Sequence, residues 1–344
     1  MATVNRQWTV GRPSADPGGL CLTRAHFVAA ADEVPAPADG QILIRTEYLS
    51  PDPMNHAWVR GLPGKFDALP VGGVMRGGIA GRVVASRLEG WNIGDQVTGF
   101  LDWADYSVST GVDYMGVPLE RVPSQVPLAS GLSAMGMTGI CAWIGLSDIG
   151  RPIPGDTVLV SGASGGIGSL AGQIAKVLGA RAVGIAGGQE KCALVMGLGF
   201  DAVVDYKASD LTEQIAKACP DGANVFFDNV GGPLLDAALL NMANNGRIVI
   251  CGALAHYGAQ PTPIFNHMQL AMRSLSMQGF FYFSQSHRWA EARARIAQCL
   301  SDGSIRDPLD IAEGFDTVPE VAISQFAGGV KGRKLIQIAG SPAN

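Results

Sequence analysis

The 344-residue chain is short of charge: only 16% of its residues are Asp, Glu, Lys or Arg, and its net charge is −5. It has no run of Lys or Arg to make the basic patch that binds a phosphate backbone, so no nucleic-acid partner is expected. Long apolar runs are missing too. Gly, Pro or a charge breaks each one well short of the about 20 residues that cross a bilayer, so no membrane partner is expected. Met1 to Val10 contains no apolar stretch of the signal-peptide kind, and cytoplasm is the expected compartment. The six cysteines, Cys21, Cys141, Cys192, Cys219, Cys251 and Cys299, are scattered with no Cys-x-x-Cys pair, which argues against a disulfide framework or structural zinc. Free, interior thiols are expected instead. The five histidines (His26, His56, His256, His267 and His287) lack a Cys or carboxylate partner at ligand spacing, so no metal site is expected.

What the chain does have is apolar content, 47%, in a length suited to two domains of about 100–200 residues. Its first part is β-rich. Gln41 to Leu49 alternates between Pro and Gly boundaries as a half-buried strand should, and Gly78 to Ala85 and Asp95 to Phe100 follow after turns. This spacing suggests a compact barrel-like unit. After about Pro127 the pattern changes. Leu132 to Leu146 reads as a buried helix, and then β-branched runs alternate with helical segments. Strands are expected at Thr157–Ser161, Ala182–Ala186, Val203–Asp205, Val225–Asp228, Arg247–Cys251 and Ser276–Phe281, with helices at Ser169–Leu178 and Glu190–Leu198. Such alternation implies βαβ units and a parallel sheet. The end of the chain leaves that rhythm. Ile311 to Phe315, a helix around Val318 to Gly328, and Lys334 to Ala339 are expected to fold back on the first domain.

The strongest chemical signal is Val158 to Ala175, where Gly162, Gly165 and Gly168 stand at spacing three between an expected strand and an expected helix. Glycine allows the tight turn and leaves no Cβ to hold a pyrophosphate away from backbone N–H groups, while the helix N-terminus supplies partial positive charge. The flanking strand and helix are the context that raises this above a chance glycine triplet. Ser164 lies inside the loop, where phosphate binding explains it better than nucleophile chemistry. An NAD site would place Asp or Glu about 20 residues on, at the end of the second strand. Here Ala186-Gly187-Gly188 occupies that end, with Lys191 nearby to pair with a 2′-phosphate, so NADP is the expected cofactor. Asn229, in the tip Asp228–Gly232, and the backbone from Cys251 through Gly252 and Ala253 lie at later strand ends, where open parallel sheets bind ligands. With no metal, a phenol is a candidate acid. Among Tyr48, Tyr106, Tyr257 and Tyr282, Tyr257 follows a cofactor-side strand end and is the candidate catalytic donor.

Taken in order, Tyr48–Pro53, Gly136-Met-Thr-Gly139, Gly162–Gly168, Gly187–Lys191, Leu198–Asp201, Asp228–Gly232 and Ile250–Ala253 give the chain a close resemblance to the medium-chain dehydrogenase/reductase superfamily along nearly its whole length. More narrowly it resembles the zinc-independent branch of leukotriene and prostaglandin reductases, curcumin reductase and plant double-bond reductases. That resemblance implies an α/β protein with a GroES-like, β-rich catalytic domain over residues 1–127, completed by 306–344, and a Rossmann doubly wound parallel sheet over 128–305. It implies NADPH along Gly165, Gly166, Ile167 and Gly168, with Gly187, Lys191 and Tyr206 around the 2′-phosphate. It further implies that Asn229, Cys251 to Tyr257, and Phe281, Tyr282 and Phe283 line the cofactor, and that Tyr48 and Tyr257 meet the substrate.

The implied reaction is reduction of the C=C bond of an apolar or aromatic α,β-unsaturated ketone or aldehyde by a homodimeric enzyme. Quinone or carbonyl reduction on the same scaffold, and NADPH binding without turnover, are the alternatives. Three segments depart from the family pattern. Asp52-Pro53-Met54-Asn55-His56 stands where relatives read Asp-Pro-Tyr-Met-Arg, and Thr138 and Cys141 replace a Pro and a Thr. Lys331-Gly-Arg-Lys334 looks like a shortened Gly-x-Asn-x-Gly-Lys, without the Asn.

Overall fold

The apolar runs of the second half become the strands of one parallel sheet, and those of the first half become an antiparallel one. The computed structural model of the chain describes residues 4–12, 22–51, 54–61, 67–208, 210–256, 262–325 and 331–338. It divides into two units, 1–132 with 310–329 and 334–344, and 133–309 with 330–333.

In the first unit, β1 (Val4–Val10) and β2 (Phe27–Glu33) make an antiparallel ribbon. β3 (Ile42–Ser50) is central to the larger sheet, and helix α1 (Met54–Arg60) follows it. β3 pairs antiparallel with β4 (Arg76–Ser86) and β6 (Tyr106–Ser109), while β5 (Gln96–Asp102) joins β4 to β7 (Glu120–Arg121). β3 is buried nearly throughout rather than on alternate residues. Two register shifts, between Leu43 and Ile44 and between Thr46 and Tyr48, break the period-2 pattern, so Glu47 turns inward, where Arg82 meets it at 2.9 Å.

The second unit begins at α2 (Met137–Ile144), which runs into a wider π-type turn over Gly145–Gly150. Six strands follow: β8 (Thr157–Val160), β9 (Arg181–Ala186), β10 (Ala202–Asp205), β11 (Ala223–Asp228), β12 (Met242–Ile250) and β13 (Ser276–Gly279). Between them lie α3 (Gly166–Val177), α4 (Gln189–Gly197), α5 (Leu211–Ala218), α6 (Gly232–Leu240) and α7 (Gln269–Met272), with α8 (Trp289–Ser301) after β13. The sheet order is β10-β9-β8-β11-β12-β13, all parallel, which is the doubly wound order of a Rossmann domain. Val158, Leu159 and Val160 of β8 and Val225, Phe226 and Phe227 of β11 are completely buried, as strands covered on both faces must be. β13 ends at Gly279, two residues before the expected end. Phe281 instead opens a 3₁₀ stretch, Tyr282–Arg288, in which Tyr282 stacks on Trp289 at 4.2 Å.

The last strands return to the first unit. β14 (Leu309–Glu313) pairs next to β15 (Arg333–Gln337), which lies beside β3 with Ile336 opposite Leu49. Helix α9 (Val318–Ser324) lies between them in the chain; the rest of the expected helix, from 326, falls outside the described residues. Phe315, Val318, Ile336 and Ile338 enter the same core as Trp8, Phe27 and Trp103. Phe315 stacks on Trp8 at 5.9 Å, and the Trp8 indole N–H donates to its carbonyl at 3.0 Å. Burying each such side chain contributes about 1.5–3 kcal/mol, so the tail holds this unit together and is no mere appendage.

Candidate cofactor and active site

The site of the second unit is built from the carboxyl ends of its strands. At the end of β8 the chain turns through Gly162–Gly165 into α3, and Gly165 N–H donates back to the Gly162 carbonyl at 2.9 Å. α3 starts without a side-chain cap, which leaves its first N–H groups facing the turn. A Cβ on Gly168 would sit 2.3 Å from the Gly162 oxygen, so only glycine lets helix and loop approach this closely. Thr138 comes against Gly166 from α2: its methyl group would lie 3.1 Å from a Cβ there.

The ends of β8, β11 and β12 are tied together by one buried carboxylate. Asp228 accepts from Ser161 Oγ at 2.7 Å, from Val230 N–H at 2.9 Å and from Gly231 N–H at 3.0 Å. Its own carbonyl accepts from the N–H groups of Cys251 and Gly252 at 2.8 and 3.1 Å. Burial raises the Asp228 carboxyl above the usual carboxylate range, and these donors act against that rise. Asn229 is held by its own N–H on Ser161 Oγ and by its amide Nδ2 on the Ser161 carbonyl, both at 2.8 Å.

The buried polar atoms of this unit that have no hydrogen-bond partner among the described residues include Asn229 Oδ1, Thr138 Oγ1 and His256 Nε2. Such atoms are costly unless a bound group satisfies them. Together with a glycine loop that approaches its helix too closely at Gly168 for any Cβ, they fit a dinucleotide.

At the end of β9 the Tyr206 ring lies against Gly187, its hydroxyl 2.7 Å from where a Cβ would stand. Asp205, from the end of β10, accepts from Gly188 N–H at 2.8 Å and from Lys207 N–H at 3.0 Å. Half-buried Lys191 lies in the first turn of α4, and burial lowers its pKa, followed by the charges of Lys207 and Lys331. Phe281, Tyr282 and Phe283 form an aromatic cluster with Trp289, at centroid distances of 4.2 to 6.3 Å. Cys251 is half-buried, and a hydrogen bond with Cys141 followed by burial pushes its thiol well above the usual range. Gly252 and Ala253 lead from there into the 3₁₀ turn Leu254–His256.

The structure thus brings Gly165, Gly166, Ile167, Gly168, Gly187, Lys191, Tyr206, Asn229, Cys251, Gly252, Ala253, Phe281, Tyr282 and Phe283 into one unit. Tyr257 lies outside the described residues. Tyr48 is on β3 of the first unit, where burial and then the Glu47 charge raise its phenol pKa. Among the described residues no group of three or more His, Cys, Asp or Glu stands where it could hold a metal ion. No described helix is long and apolar enough to cross a membrane. Reasoning from the sequence missed Ser161, Asp228 and Lys207, and it read Lys331–Lys334 only as a departure from the family pattern. Asp228 could have been found as the acid that closes a buried strand beside a glycine-rich tip. The others carried no local signal.

A Rossmann sheet with a glycine loop at its first crossover, in a chain whose other unit is an antiparallel β domain, defines a dinucleotide-dependent oxidoreductase. Comparison with known proteins makes this more specific. Residues 166–298 match the family model described as zinc-binding dehydrogenase, and residues 6–117 match the N-terminal domain of oxidoreductase. The chain is 36% identical to the NADPH-dependent curcumin reductase of Escherichia coli strain K12, over 98% of this chain and 97% of that protein. It is 35% identical to prostaglandin reductase 1 of Mus musculus, over 91% and 93% of the two chains. The crystal structure of CurA in complex with NADPH from Vibrio vulnificus superposes with a TM-score of 0.88 at 33% identity, covering 98% of this chain and all of that one. The chain belongs to the medium-chain dehydrogenase/reductase superfamily, in its zinc-independent branch.

Proposed function

We propose that the chain is an NADPH-dependent reductase of the C=C bond of α,β-unsaturated ketones and aldehydes. The observation that carries the reading is the pairing of a glycine-rich diphosphate loop at Gly162–Gly168, closed by a Gly168 with no room for a Cβ, with a lysine-bearing turn at Gly187–Lys191. Similarity to curcumin and prostaglandin reductases supports a conjugated carbonyl as the substrate class.

In this reading Gly165 to Gly168 hold the diphosphate through the free N–H groups of α3, and Lys191 and Tyr206 hold the 2′-phosphate. Asn229 Oδ1 and the backbone of Cys251 to Ala253 position the nicotinamide half. NADPH, when bound, supplies the hydride. The substrate accepts it at the β-carbon, negative charge develops on the carbonyl oxygen, and the α-carbon is then protonated. Tyr257 donates to that oxygen as charge appears, and Tyr48 borders the substrate.

The direct test is NADPH consumption against a panel of enones, enals and quinones, with products identified by mass and NMR. A saturated ketone or aldehyde is expected. An allylic alcohol or a hydroquinone would move the assignment to carbonyl or quinone reduction. NADPH binding without any turnover would leave a binding protein. Tyr257→Phe is expected to slow enone turnover about 10²-fold, and an unchanged rate removes Tyr257 from the chemistry.

The same reading includes a homodimer. β13 is the edge strand of the parallel sheet, and Phe265, Met268 and Met272 beside it in sequence are 71%, 58% and 75% exposed. An unpaired edge flanked by apolar side chains is a site for pairing with a second copy. Sedimentation should give twice the chain mass, and Met272→Lys should shift it toward the monomer.

A further inference from the structure

We propose that the returning segment Lys331–Arg333 is part of the cofactor site, with Arg333 serving the diphosphate and Lys331 the adenosine 2′-phosphate. This rests on NADPH as the cofactor.

Gly332 pairs with Gly165 as an isolated parallel bridge, and its N–H donates to the Ser164 carbonyl at 2.7 Å. On the other side, Arg333 N–H donates to the Pro308 carbonyl at 2.7 Å. The segment is therefore strapped to the glycine loop at Gly332. Gly332 has φ +79°, and a Cβ there would meet the Pro308 oxygen at 2.1 Å, so the strap can pass only with glycine in the middle. The residues on either side of Gly332, Lys331 and Arg333, are both cations.

Arg333 is placed by its stem. A Cβ on Gly166 would lie 3.2 Å from Arg333 Cδ and 3.5 Å from its Cβ, so the side chain packs against the first residue of α3, beside the uncapped N–H groups. Guanidinium suits a diphosphate because its fixed donor fork can grip two oxygens. Lys331 is placed by its ion pair with Glu190 in the first turn of α4. There it stands within electrostatic reach of Lys191, as Lys207 does from the end of β10. The groups facing this turn are thus Lys191, Lys207 and Lys331 against Glu190 and Asp205, and Asp205 is already engaged by two backbone N–H groups. A cationic excess in this position favours a phosphorylated ribose over a plain one.

The test is equilibrium binding of NADPH and NADH to the full chain, followed by fluorescence, without substrate. Lys331→Ala should weaken NADPH about tenfold and leave NADH unchanged. Arg333→Ala should weaken both by about tenfold, and Arg333→Lys should recover part of the loss. The discriminating variant is Lys331→Ala with Glu190→Gln. If Lys331 touches the phosphate, the NADPH-specific loss persists in the double variant. If Lys331 merely cancels Glu190, the double variant binds like wild type and that half of the proposal falls. Arg333→Ala binding both cofactors normally overturns the other half. A wild-type chain with no preference for NADPH over NADH overturns the cofactor reading itself, whatever the variants do.

Discussion

The two units keep their stability and their chemistry in different places. In the parallel unit each strand pairs with one reached through a short crossover, and β8, β9 and β10 follow one another along the chain as they do across the sheet. In the antiparallel unit the central strand β3 gains a neighbour from the far end of the chain, with Gln337 opposite Tyr48. Local pairing can be read from local sequence. Pairing across nearly 300 residues is dictated by which apolar faces remain uncovered, and only the whole chain decides that. The proposed cofactor residues accordingly lie in the locally built unit, and the tail is divided between the two units. Lys331 to Arg333 lie on the parallel unit, and Lys334 onward belongs to the antiparallel one, where Lys334 pairs with Asp310 at 2.7 Å.

This contrast can be broken experimentally. The largest effect should come from Phe315→Ala, which removes the Trp8 stacking partner from the antiparallel core and should cost about 3–5 kcal/mol. Denaturant unfolding should then show two transitions, with the first carrying the whole loss; a uniform shift of one transition would mean that the units unfold as a single body. Next comes Gly168→Ala. Its Cβ would collide with the Gly162 oxygen, so about 1–3 kcal/mol should be lost from the parallel unit, together with most NADPH affinity. Full affinity in that variant would show that the loop does not depend on close helix approach.

The smallest effect concerns pH. Burial, and then the charges of Arg60 and His26, lowers the His56 pKa from 6.5 to about 4. The folded state therefore binds fewer protons than the unfolded state between these values, and the antiparallel unit should lose stability as pH falls from 6.5 toward about 4. His56→Gln should flatten that limb of the melting-temperature profile, and an unchanged slope would assign it to another group.

Much of the parallel unit was legible because one local rule governs each feature. β-branched runs gave strands, a glycine triplet between strand and helix gave the phosphate loop, and missing acid at Ala186–Gly188 pointed to a phosphorylated ribose. The antiparallel unit was less legible. Alternation in β3 was misleading because the strand is buried on both faces and its register with β4 shifts twice, and β1 and β2 sent no signal distinct from their surroundings. In the site, Asp228 was visible only as part of a polar tip. Its task of joining three strand ends needs Ser161 and Cys251 brought beside it by the sheet order.

By itself the sequence determined what depends on neighbours in the chain: the strand–loop–helix that cradles a dinucleotide, the cation in the first turn after the second strand, and the tally of cysteines and histidines. Only the tertiary structure decided which distant residues join them. Lys331 and Arg333 stand about 140 and 167 residues after Glu190 and Gly166, yet backbone pairing of Gly332 with the loop sets both cations against those positions. Charge and hydrogen bonding act through space over a few ångströms, and a linear pattern carries that distance only where the chain itself is short.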